Sequence, residues 1–173
     1  MTKTLRLVLG DQLNSQHSWF ATPSPSVTYL MLEMRQETDY VAHHIQKVVA
    51  FFLSMRHFAQ KLKEQGHQVY YLTLDDPQNL QTLSAQVHQL VKSGEYTRFE
   101  YLLPDEYRLD QQLKDCCGTL GIHSEAVDTE HFLTSRGFLQ QLFEGKKTYL
   151  METFYREMRK KYAVLMDGKD PIG

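Results

Sequence analysis

The sequence predicts an α/β protein, a doubly wound five-stranded parallel sheet with helices on both faces. Three observations predict it. Short apolar runs at 5–9, 27–33, 68–74, 99–103 and 122–127 alternate with longer stretches of helical periodicity. The first of these runs are continuously apolar rather than alternating, as strands buried on both faces are. Most end in turn chemistry: Gly10-Asp11 after the first, Asp75-Asp76-Pro77 after the third, Pro104-Asp105 after the fourth. Right-handed crossovers then bring the carboxyl ends of all the strands to one edge of the sheet.

Taken in order, strand one runs from Leu5 to Leu9 and breaks at Gly10. The next segment carries Trp19-Phe20 and a loop with Pro23 and Pro25, leaving room for only a short helical turn before strand two. Thr38-Asp39 starts the longest helix, which runs to about Gln65 and stops at Gly66. Val41, Ile45, Val48, Phe52, Met55, Ala59 and Leu62 fall on one face of it and form its core stripe. After strand three, Asp76 reads as a helix cap with Pro77 at the first helical position, and Leu80, Leu83, Val87, Leu90 and Val91 give that helix its apolar side. A further helix follows strand four, with Leu109, Leu113 and the Cys116-Cys117 pair, and ends near Gly118 and Gly121. Strand five is the weakest. A short helix at 138–143 and a last amphipathic helix from about Tyr149 to Met166 complete the chain.

Composition narrows the function classes. With 42% hydrophobic and 23% charged residues, the 173-residue chain is an ordinary globular protein with enough length for a real core. A formal net charge of −2 does not mark a general nucleic-acid binder. No apolar run approaches the roughly 20 residues of a membrane span, and Met1-Thr2-Lys3-Thr4 leads into a strand without a signal-peptide core. Two adjacent cysteines suit neither a relaxed disulfide nor a cluster that takes four thiolates, so a reduced, cytoplasmic chain is expected. G-x-G-x-x-G, a Lys-bearing phosphate loop, G-x-S-x-G and paired zinc-ligand spacings are all missing, which argues against a dinucleotide enzyme, an NTPase, a serine hydrolase or a zinc protein.

The candidate site lies at the carboxyl edge. Gly10 permits a tight turn or close backbone approach, and Asp11, Gln12 and Leu13 follow it. Glu33 ends strand two, and acids also end strands three, four and five. If strand one is central, its loop lies beside that of strand four, and the crevice between them is where such sheets bind ligands. On the long helix, Tyr40, His44, Lys47 and Phe51 are spaced four, three and four, a line of two rings, an imidazole and an ammonium beside the core stripe. Such a line can stack on and hydrogen-bond a planar polar ligand. The same residues also fit turn and cap positions and a snorkelling helix rim. His43-His44 does not read as a metal pair, because adjacent helical positions diverge by about 100°. The last helix carries Met151, Phe154, Tyr155, Met158, Tyr162 and Leu165 on one side, with Lys146, Lys147, Arg156, Arg159, Lys160 and Lys161 around it. These cations fit phosphate contacts or a solvated helix C-terminus.

Three blocks carry a family resemblance. Leu7-Val8-Leu9-Gly10-Asp11-Gln12-Leu13, the stretch from Tyr40-Val41-Ala42-His43-His44 through Met55-Arg56-His57-Phe58, and Met151-Glu152-Thr153-Phe154-Tyr155-Arg156-Glu157-Met158-Arg159 resemble the N-terminal domain of the deoxyribodipyrimidine photolyase-related family. These are bacterial cryptochrome/photolyase proteins with an iron–sulfur cluster, including bacterial (6-4) photolyases. The resemblance runs over the whole chain in the same order. It implies a Rossmann-like N-terminal antenna domain that holds 6,7-dimethyl-8-ribityllumazine. It also implies a larger helical domain with FAD and a 4Fe-4S cluster, the whole acting on damaged DNA as a light-driven lyase or sensing blue light. On this reading residues 1–166 are the antenna domain and 167–173 begin a linker to a helical domain. The chain alone is then non-catalytic, with no metal of its own, no membrane contact and weak or no DNA binding. With the ligand that the resemblance implies, the residue reading above makes Gly10, Asp11, Gln12, Leu13, Glu33, Tyr40, His44, Lys47 and Phe51 the expected chromophore site. The residues alone also fit a stand-alone module that binds a nucleotide-like metabolite, or one that docks a helical partner through the last helix. Sequencing the gene beyond Gly173 separates these: a continuation containing four cysteines supports the antenna reading, and a stop codon favours the other two.

Overall fold

Successive residues of a strand point to opposite faces, so β1 (Thr4–Leu7) sends Leu5 and Leu7 one way and Arg6 the other. In the computed structural model, which describes residues 2–39, 41–168 and 170–172, this strand is the middle of the sheet. The other strands are β2 (Val27–Leu32), β3 (Gln68–Leu72), β4 (Arg98–Leu102) and β5 (His123–Val127). The order is β3-β2-β1-β4-β5 and every pairing is parallel. Leu7 sits opposite Leu30 on one side and Tyr101 on the other. The chain winds outward from β1 to β3, then crosses back to β4, which makes the gap between β1 and β4 the switch point of the topology.

Each face of the sheet has its own core. On one, Leu5, Leu7, Leu30, Leu72, Phe99 and Tyr101 pack under helices that follow β3 and β4. These are α3 (Leu83–Lys92), which buries Leu83 and Val87, and α4 (Tyr107–Thr119), which buries Leu109, Leu113 and Cys116. On the other, Val8, Tyr29, Met31 and Leu102 meet the 3-10 turn Ser18–Phe20 and α2 (Ile45–Glu64). In that turn Trp19 and Phe20 are buried, the His17 ring accepts from the Trp19 N–H, and the Tyr29 hydroxyl donates to the Trp19 carbonyl at 2.5 Å. Helix α2 buries Phe52, Met55, Phe58, Ala59 and Leu62 and ends before Gly66, whose φ of +91° suits a residue without Cβ.

Two helix starts differ from expectation. A separate turn of helix, α1 (Gln36–Asp39), precedes α2, and the long helix begins at Ile45 rather than at Thr38-Asp39. The Thr38 hydroxyl donates to the Arg35 carbonyl and to Asp39, and His44 is extended with its ring accepting from the Gln46 N–H. Side-chain bonding to the local backbone at both places, a back-bond at Thr38 and a cap at His44, competes with helix continuation. Val41 and Ile45, expected in the core stripe, are 49% and 67% exposed. Similarly α3 begins at Leu83, not at Pro77. The Asp76 carboxylate accepts from the Gln78 N–H in a local turn, Asn79 donates to the Glu33 and Thr73 carbonyls, and Gln81 is left-handed at φ 57°. Residues 73–82 are therefore a hydrogen-bonded loop.

The chain forms two compact units, Met1–His131 and Phe132–Gly173. The second contains α5 (Phe138–Leu142), α6 (Met151–Tyr162) and a small antiparallel pair, β6 (Met166–Asp167) with β7 (Asp170–Pro171). Helix α6 stops earlier than the expected Met166 because Ala163 turns left-handed at φ 53°. Arg159 closes that end by donating to the carbonyls of Val164, Leu165 and Ile172. Two other cations of the expected basic cluster are paired along the helix, Arg156 with Glu152 at 2.6 Å and Lys160 with Glu157 at 3.2 Å. Among the described residues no helix is long and apolar enough to cross a membrane.

Leu113 is fully buried beneath β1 and β4. Leu113→Ala should cost about 2–5 kcal/mol, read as a lower urea midpoint with an unchanged m-value.

Candidate functional site

The turn after β1 is built by Gln12. Its side-chain carbonyl accepts the Leu9 N–H at 3.0 Å, and its amide donates to the carbonyls of Leu102 and Leu103 at the end of β4. Gln12 is 3% exposed, so it is the peg that joins the two carboxyl ends across the switch point. Gly10 sits over α2. A Cβ placed on it would lie 2.3 Å from Phe51 Cζ and 2.8 Å from the sulfur of Met55. The close approach that glycine permits here is thus of helix α2 to the turn.

Glu33 is fully buried at the end of β2. Arg56 of α2 grips both its oxygens, at 2.5 and 2.8 Å. The Tyr71 hydroxyl donates to the same carboxylate at 2.7 Å, and the Leu74 N–H at 3.0 Å. Burial by itself raises the Glu33 carboxyl; the bonds from Arg56, Tyr71 and Leu74 outweigh it and hold the group below the ordinary glutamate range. Burial and the adjacent carboxylate push the Tyr71 hydroxyl well above the usual tyrosine value.

Among the described residues, two cavities open at this edge. One is a half-open cavity of about 180 Å³ between Asp11 of the β1 turn, Thr38, His43, the first turns of α2 (Lys47, Val48, Phe51) and the start of α4 (Glu106, Leu109). The other is an open groove of about 850 Å³ running along Gly10–Asn14, Lys47, Phe51, Ser54 and His131. Asp11, Lys47 and Phe51 line both. Lys47 Nζ is 3.3 Å from the His43 ring. The acid side is held by Arg108, which donates to Glu106 at 2.8 Å, and by His131, 3.1 Å from Asp105. Burial raises the Asp11 carboxyl against its own backbone hydrogen bond, and the negative charge of Asp105 adds to the rise.

The structure therefore brings Gly10, Asp11, Leu13, Lys47 and Phe51 together at the cavity walls. Gln12 also lines the groove, but its polar atoms are committed to the β1–β4 junction. Glu33 lines neither cavity, and its oxygens are fully bonded. His44 is an exposed N-cap outside both cavities, and Tyr40 lies outside the described residues. The expected four-residue line on one helix is corrected to Lys47 and Phe51, since the helix begins after His44. The sequence reading missed His43, Ser54, Asn14, Glu106 and His131 as wall residues. Ser54 continues the helical line three residues beyond Phe51, a spacing visible in the sequence. No comparable signal brings His131 to the turn of Asp11. Among the described residues no group of three or more His, Cys, Asp or Glu side chains is arranged to hold a metal ion.

This is a doubly wound protein with a crevice at its switch point. A family model described as deoxyribodipyrimidine photo-lyase-related protein matches residues 6–173, and the chain belongs to that family. The chain is 34% identical over 170 residues to the (6-4) photolyase of Agrobacterium fabrum (strain C58 / ATCC 33970). The match covers 98% of this chain and 34% of that relative, so the chain spans about a third of the relative's length.

Glu33 sets an acid limit on stability. Its carboxylate binds a proton less readily when folded than unfolded, so its contribution is present above the ordinary glutamate pKa of about 4.3 and is lost as pH falls through the lower folded value. Glu33→Gln should destabilise by about 1–3 kcal/mol at neutral pH and flatten the loss below about pH 4, measured by urea denaturation across pH.

Proposed function

We propose that this chain is the antenna-chromophore domain of a photolyase-related flavoprotein and holds a lumazine-type chromophore, 6,7-dimethyl-8-ribityllumazine, in the crevice between the β1 turn, α2 and α4. The observation that carries the reading is a crevice at the switch point of a family member, walled by an aromatic ring, an ammonium and a carboxylate. The donor set suits the group. Phe51, Val48 and Leu109 offer apolar walls for a planar ring. Lys47 offers a donor for ring carbonyls, and Asp11 an acceptor for ribityl hydroxyls. Asn14 and Ser54 extend the polar lining along the open groove. When bound, the chromophore would absorb light and pass excitation energy to a flavin. This chain's residues would bind it, orient it and shield one face from water.

FAD and the 4Fe-4S cluster belong, on this reading, to the part of such proteins that the chain does not span. A cluster usually takes four thiolates and the sequence has two cysteines. Cys116 is buried in the α4 core, and burial raises both thiols, the opposite of what a metal ligand needs. Light-driven repair of damaged DNA, or blue-light sensing, is proposed for the longer protein, in the cytoplasm. The chain alone is proposed to be non-catalytic and to bind DNA weakly or not at all.

Fluorescence titration of the purified chain with the lumazine tests the site. Saturable binding is expected. Phe51→Ala should weaken it by about tenfold or more, the scale of one lost aromatic contact. Gly10→Val should abolish it by forcing the Phe51 ring into the cavity it lines. No binding by the wild-type chain, or unchanged binding by both variants, overturns the assignment.

A further inference from the structure

The unit Phe132–Gly173 is close to the size, about 40 residues, below which a chain usually needs a disulfide, a metal or a partner to hold a core. Both cysteines lie in the other unit, and no metal-holding group of His, Cys, Asp or Glu exists among the described residues. Of the unit's described residues Phe143 alone is buried, and neither α5 nor α6 buries a side chain. Tyr149, Leu150 and Met151, which lead into α6, are 74%, 57% and 75% exposed. Helices of this kind are stabilised by covering their apolar side, and a contiguous apolar surface left open marks an interaction site.

That surface forms a groove of about 340 Å³ between α5 and α6, lined by Leu139, Phe143, Tyr149, Leu150, Met151 and Phe154. Ring pairs shape its walls: Phe143 meets Tyr149 edge-on at 5.3 Å, and Phe138 meets Phe154 at 6.2 Å. Lys146 Nζ stands 5.3 Å from the centre of the Phe143 ring. Glu152 and Glu157 are taken by Arg156 and Lys160, whereas Lys146 and Lys147 make no ion pair among the described residues. The complementary surface is therefore a set of apolar side chains with a carboxylate at their edge.

We infer that the α5–α6 groove is the face by which this chain docks on the part of the longer protein that it does not span, taking up an apolar segment whose carboxylate meets Lys146 and Lys147. The inference rests on the reading of the chain as one domain of a longer protein, and it names the face at which that domain is held. The part not spanned is the larger part, so surface enough to fill the groove belongs to the same polypeptide. Tethering favours this occupant over a second copy. Arg159 of α6 holds the Ile172 carbonyl, so in the longer protein the chain that follows leaves from beside the groove's own helix. A short flexible tether gives such a segment an effective concentration on the order of millimolar.

Hydroxyl-radical oxidation, read residue by residue by mass spectrometry, compares this chain with the full-length protein expressed from the complete gene. In this chain Tyr149 and Met151 should oxidise at the rates of exposed side chains, while the fully buried Met31 stays protected and reports a folded sheet. In the full-length protein Tyr149 and Met151 should react about tenfold or more slowly, the population shift that about 1.4 kcal/mol of docking gives. Met151→Glu sets a carboxylate in the groove. In the full-length protein it should return Tyr149 to within about threefold of its rate in the shorter chain, whose urea midpoint stays unchanged. Equal oxidation of Tyr149 and Met151 in the two proteins overturns the inference and leaves the chromophore reading standing. Tyr149 as protected in the full-length variant as in the wild type overturns the groove as the docking face. Protection already present in the shorter chain also overturns it: a second copy covers the groove if the protection fades on dilution, and the chain covers its own groove if it does not. A gene that stops after Gly173 overturns both the inference and the reading of the chain as one domain.

Discussion

The carboxylate of Glu33 is the interaction on which the rest of the structure depends. A fully buried charge is costly unless it is paired and hydrogen-bonded, and Glu33 accepts four hydrogen bonds. The donors come from three places: Arg56 on α2, Tyr71 on β3 and the backbone after β3. Its own carbonyl accepts from Asn79, which also holds the loop before α3. One side chain therefore locks the end of β2 to its sheet neighbour, to the helix above and to the loop beside it. Arg56 lies half in water, so the pair is fixed at its buried end by geometry and hydrated at its outer end.

Fixing Arg56 fixes the height of α2 along the sheet. Phe51, Met55 and Lys47 share that helix, so the position of the Phe51 ring over Gly10 follows from the same constraint. The absence of a Cβ at Gly10 is what lets the ring reach its place in the cavity wall. Gln12 does the corresponding work on the other side by tying the β1 turn to β4. The crevice is thus a gap held open between two internally bonded braces. Asp11, Lys47, Asn14 and Ser54 are polar groups of its lining that neither brace engages.

Much of the fold was legible in the sequence because its signals are local. Short apolar runs between turn signals gave five strands within one or two residues of their ends, and the stripe from Phe52 to Leu62 gave the buried face of α2. Where the reading failed, polar side chains had more than one local use. Asp76 looks like a helix cap and instead makes a turn within the loop of Asn79 and Gln81. Thr38 bonds back to the Arg35 carbonyl within α1 and His44 caps α2, and together they divide what periodicity presents as one helix. Val41 continues the apolar pattern upstream of that break and is exposed.

The sequence by itself determined the parallel doubly wound class, the two-sided burial of its strands, the family, and the edge at which the polar strand-end residues gather. Those properties follow from short-range patterning and from the fixed hand of the crossovers. Only the tertiary structure decided which of the carboxyl-edge residues line the cavities. Glu33, Asp11 and Gln12 are equivalent as sequence signals, each a polar residue at a strand end. They part company because Glu33 meets donors 23, 38 and 41 residues away, and Gln12 meets acceptors 90 and 91 residues away. Asp11 instead stands at the cavity wall, without an ion pair among the described residues. Such long-range pairing has no local periodicity, so the identity of a site residue is set by what its neighbours leave unbonded once the chain has folded.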